Sequence, residues 1–94
     1  MKVHDRLSQL SGEIAEAQTA LRIVEEQLAF VEEVAEDARI RALVSETPLA
    51  DREYRDAQGD LDRMRRSHHD AQVRIEELRT EQDRLLERIF EEGR

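Results

Sequence analysis

The stretch RMRRSHHDAQ, residues 63–72, gathers the side chains best suited to chemistry: two imidazoles, three guanidinium groups and a carboxylate. Metal binding on one helix needs ligands three or four residues apart on one face. At those offsets His68 meets Met64, Arg65, Ala71 and Gln72, and His69 meets Arg65, Arg66, Gln72 and Val73. No ligand set forms, so no metal is expected. Arg63, Arg65 and Arg66 suit a phosphate or an acidic partner. Glu25 and Glu26, however, are placed on the facing helix to neutralise them. The chain has no cysteine, no Gly-rich phosphate loop and no Ser-His-Asp set. A rod also lacks the concave pocket that catalysis needs. The sequence therefore predicts no catalytic, cofactor-binding or metal residues, and no enzyme.

The elements that must position these side chains follow from periodicity. Ninety-four residues, 40% of them charged and 3% aromatic, cannot fill a globular core. The same composition suits long helices that each need one apolar stripe. Disorder is the competing reading for so polar a chain, and the spacing of the apolar residues removes it. Val3, Leu7, Leu10, Ile14, Ala17, Leu21, Val24, Leu28, Val31, Ala35, Ala38 and Ala42 follow one another by three and four. The pattern resumes as Ala50, Tyr54, Ala57, Leu61, Met64, His68, Ala71, Ile75, Leu78, Gln82, Leu85 and Ile89. These are two unbroken a/d heptad seams. His68 and Gln82 are polar seam residues that fix register at some cost in stability.

Pro48, with Ser45, Glu46 and Thr47, marks the break. Proline is tolerated in a first helical turn, and the residue before it avoids helical geometry. Thr47 then reads as an N-cap, and Asp51 suits the positive end of the helix dipole. The expected fold is all-α: an antiparallel two-helix coiled-coil hairpin, dimerising into a four-helix bundle. The whole chain, 1–94, forms one hairpin, with helix one over about 4–44, a turn over about 45–48 and helix two over about 49–91. Folding about position 46 pairs residues whose numbers sum to 92, so that every seam residue meets another seam residue. Ion pairs Glu25–Arg65, Arg39–Asp51 and Arg41–Glu53 are expected along the flanks.

Outside the seam, Ala20, Ile23, Gln27, Phe30 and Val34 form a second row at g and c positions of helix one. Helix two is charged or polar at its own g and c positions and cannot cover this row. A spaced row of exposed apolar residues is more often an interface than not, and a homodimer is its simplest partner. Ile40, Leu43, Val44 and Leu49 crowd the tip, either to cap the hairpin end against one another or to dock a partner. At the open end Leu86 and Phe90 also lie outside the seam.

A net charge of −8 disfavours nucleic acid and anionic membranes. EEQLAFVEEVAED, residues 25–37, carries six acids and no base, which suits a basic protein partner. No apolar run approaches the roughly 20 residues of a membrane span, and MKVHDRLSQL lacks a signal-peptide core, so the cytoplasm is expected. One lysine against fourteen arginines suggests the GC-rich codons of a bacterium such as an actinomycete.

EYRDA, residues 53–57, resembles the Glu-Tyr that follows the hairpin tip in the N-terminal domain of bacterial Gre transcript-cleavage factors. That resemblance implies docking in a polymerase channel. The two acids at that family's tip would fall on Thr47 and Ala50 here. Helical-hairpin anti-sigma factors that bind cyclic di-GMP carry a Glu four residues before a Ser, and no serine of this chain has one. The function expected is a coiled-coil protein-interaction module, a small adaptor or regulator. The alternative is a transcription regulator docking on RNA polymerase or a sigma factor.

Overall fold

A computed structural model describes residues 2–93. Two helices, α1 (Lys2–Ser45) and α2 (Pro48–Glu92), pack side by side as a hairpin rod 71 Å long and 16 by 14 Å across. No strand occurs among the described residues. Both helices run about a turn or less beyond the ranges that the seam alone marks. The link is only two residues, Glu46 and Thr47, because Pro48 already occupies the first turn of α2.

The seam is the core. All 24 seam residues are buried or half-buried, while Arg6, Glu13, Gln58, Gly59, Val73 and Glu81 alone share that status among the other described residues. Leu10 is 0% exposed. A buried cluster joins Ala35, Ala38, Ala57 and Leu61, with Leu28, Val31 and Tyr54 packed against it. It holds three of the pairs that sum to 92: Ala35 with Ala57, Val31 with Leu61, and Ala38 with Tyr54.

The reversal between the helices has a specific chemistry. Glu46 adopts φ 51°, a left-handed conformation, and its N–H donates to Ala42 O at 3.3 Å. This satisfies one of the carbonyls left open at the end of α1, the usual work of a C-terminal glycine. Thr47 is extended (φ −110°, ψ 151°), and its hydroxyl accepts from the Ala50 N–H at 3.1 Å. The chain therefore leaves one helix and enters the next with caps on both sides.

The flanking ion pairs differ from the expectation. Glu25–Arg65, Arg39–Asp51 and Arg41–Glu53 do not form. Arg39 turns along its own helix to Glu36 at 2.6 Å, and Arg63 does the same to Asp60. A partner one turn away on the same helix asks less ordering of a long side chain than one across the seam. Across the seam, Arg6 Nε instead donates to Glu81 Oε2 at 2.6 Å and Arg6 Nη2 to Glu81 Oε1 at 2.8 Å. This bidentate hydrogen bond holds the Glu81 carboxyl below its usual range, against the opposing effect of partial desolvation. Arg6 Nη1 also lies 3.0 Å from Glu13 Oε2.

Substitutions at the reversal should act in opposite directions. Left-handed geometry costs a non-glycine residue about 1–2 kcal/mol, offset in part by the extra unfolded-state entropy of glycine. Glu46→Gly should therefore stabilise the hairpin by about 0.5–1 kcal/mol. Thr47→Ala removes the N-cap and should cost about 1 kcal/mol. Urea unfolding followed by circular dichroism measures both. Equal stability of the two variants would contradict this account of the turn.

Candidate functional site

Among the described residues the hairpin has two helices and no third layer, so most side chains outside the seam face solvent. Ala20, Ile23, Gln27, Phe30 and Val34 are all exposed on the outer face of α1, Phe30 by 66%. Their three-and-four spacing places them on one helical face, turned away from the seam. Near its C-terminal end the row borders an open groove between the helices. Val34, Ala38 and Ala57 form the apolar part of this groove, with Arg41 facing Glu53, Asp56 and Asp60 around it.

The tip residues Ile40, Leu43, Val44 and Leu49 are exposed as well, Val44 by 79%. They do not bury one another. The physical reason is the shortness of the link: Glu46 and Thr47 reverse the chain but provide no segment that could fold over the end. Val44 stands fourteen residues beyond Phe30, four heptad-phased turns along the same face. Ile40, four residues before Val44, borders it. Val44, with Ile40 beside it, thus continues the lateral row along one face of α1, interrupted by Asp37 and Arg41, whereas Leu49 belongs to α2. The sequence pattern contained this alignment, but reading the tip as a separate cluster concealed it. At the open end Leu86 and Phe90 are exposed too.

His68 and Gln82 sit half-buried in the seam, as their positions require. His69 is exposed, and no group of three His, Asp or Glu side chains is arranged to hold a metal among the described residues. Arg63 is tied to Asp60, whereas Arg65 borders a second interhelical groove with Glu32, Glu36 and Gln58. The histidine–arginine stretch is thus spread around α2 and converges on no single point. Among the described residues, no helix is long and apolar enough to cross a membrane.

The chain matches no protein-family model, no curated protein and no solved structure.

If the lateral row lies outside the folding core, its removal should leave the hairpin intact. Phe30→Ser and Val44→Ser should each change stability by no more than about 0.5 kcal/mol. Leu10→Ala, in the fully buried layer, should cost about 2–4 kcal/mol. Urea titrations of dilute protein compare them. A loss for Phe30→Ser as large as that for Leu10→Ala would place Phe30 in the core.

Proposed function

We propose that the chain is a non-enzymatic coiled-coil interaction module, a small cytoplasmic adaptor or regulator that presents the outer face of α1 and the hairpin tip to other proteins. The observation that carries this reading is the exposure of Ile23, Phe30 and Val34 in one row beside a completed seam. These residues lie outside the hairpin's buried core, and exposed phenylalanine and isoleucine carry a cost in solubility. A binding partner gives them a use. A second copy of the chain is one such partner, and a different protein is the other.

A second reading, a regulator docking on RNA polymerase or a sigma factor, draws on the tip. Leu43, Val44 and Leu49 project from the end of a narrow rod, the shape that can enter a channel. The Glu53-Tyr54 resemblance to Gre factors lies within a turn or two of the same end.

Capture from a lysate of the source organism separates these readings. The immobilised wild type should retain a defined protein that the Ile23→Ser/Phe30→Ser variant releases. Retention of polymerase or sigma subunits, lost in a Leu43→Ser/Val44→Ser/Leu49→Ser variant, would favour the second reading. Identical captures by all three proteins would contradict both.

A further inference from the structure

The charge around the lateral row selects its occupant. Six carboxylates border this face: Glu26 and Glu33 along one edge, Asp37 within the row, and Glu53, Asp56 and Asp60 in the groove beside Val34. Two guanidinium groups accompany them, Arg41 in the groove and Arg63, which is tied to Asp60; farther along α2, Asp70 and Arg74 at the next g and c positions cancel each other. Six minus two leaves four net negative charges on this face.

A second copy would bring the same four negative charges against these. In an antiparallel two-fold contact that pairs Ile23 with Val34 of the other copy, Glu26 and Glu33 would border their own kind. Arg41 would meet Glu16 of the other copy, which relieves only part of the repulsion. Like charges facing each other across a partly dehydrated contact are unfavourable, whereas opposite charges steer association and fix its register.

Resting on the reading of the chain as an interaction module, we propose that this face of α1 binds a basic amphipathic helix of another protein in preference to a second copy. Ile23, Phe30 and Val34 act as anchors for its apolar side, in the helix-in-groove manner. The acidic borders receive lysine and arginine side chains at its edges. The anchors, Ile23 to Val34, span twelve residues, about 16 Å from first to last, so about three turns of partner helix cover them. With Ile40 and Val44 included, the face extends to the tip and accepts a helix about twice as long.

A defined probe tests this. A synthetic helix of about 16 residues, with leucine at three-and-four spacing and lysine and arginine elsewhere, is titrated into the full chain by fluorescence anisotropy. Its counterpart carries glutamate in place of every basic residue. The basic helix should bind one to one and the acidic one should not. Ile23→Ser/Phe30→Ser, which leaves net charge unchanged, should weaken binding at least about tenfold with helicity retained. Glu26→Gln/Glu33→Gln should weaken it several-fold, and so should raising salt from about 0.05 to 0.5 M.

Binding that is indifferent to the Ile23/Phe30 substitution would reduce the effect to bulk charge and overturn the proposal. Absence of binding would overturn it as well. So would a wild type that sediments as a dimer and becomes monomeric on the same substitution, since a second copy would then own the face. If the proposal fails while a tip variant still loses a captured protein, the module reading survives through the tip alone.

Discussion

Everything in this molecule depends on one contact surface, the a/d seam between α1 and α2. With no third layer, no disulfide and no metal cluster among the described residues, the interdigitation of two heptad rows is the main contact that holds the helices together. A two-helix hairpin buries little surface for its length. That scarcity makes the burial pattern informative: the seam residues are withdrawn from water and almost nothing else is. An apolar side chain outside that seam therefore needs a reason that the fold does not supply.

The seam is not uniform along the rod. Toward the tip its layers are built from Ala35, Ala38, Ala42, Ala50 and Ala57, with Tyr54 the one large residue among them. Small residues allow close approach of two helices but each contributes little apolar burial. The reversal offsets this thin packing with polar chemistry: the Glu46 N–H on Ala42 and the Thr47 hydroxyl on the Ala50 N–H. At the opposite end, the Arg6–Glu81 pair bridges the helices beside Leu7, Leu10 and Leu78. The rod is thus pinned at both ends by directional bonds, while its middle is held by larger apolar layers.

How much of this was legible in the sequence follows from the range of each interaction. The seam was legible residue by residue because helix geometry imposes its period whatever the surroundings, and His68 and Gln82 followed it although they are polar. The N-cap at Thr47 was legible because proline restricts its own neighbourhood. The ion pairs were not. Arg39 had Glu36 on its own helix as well as Asp51 across the seam, and side-chain length and local ordering decided between them. Arg6 and Glu81 sum to 87, so their bond runs diagonally, and pairing by the rule of 92 passes over it. The open tip was illegible for another reason. Whether Leu43, Val44 and Leu49 cover one another depends on how many residues the link spends, and that was known only once α2 began at Pro48. The proposed partner is legible only as a complement to the exposed face, apolar along Ile23, Phe30 and Val34 and basic at its edges.

The most direct test of the account is the register of the seam. Ala17→Cys with Ile75→Cys should form a disulfide within one chain on mild oxidation, because paired seam positions bring Cα atoms within the roughly 7 Å that a disulfide tolerates. Ala17→Cys with Leu61→Cys, about 20 Å out of register along the helix, should not. Mass spectrometry of the oxidised monomer under denaturing conditions reads the outcome. An intrachain bridge at the first pair alone is the predicted result. Bridges only between chains at the first pair, or equal bridging at both, would contradict the intrachain hairpin on which every surface described above depends.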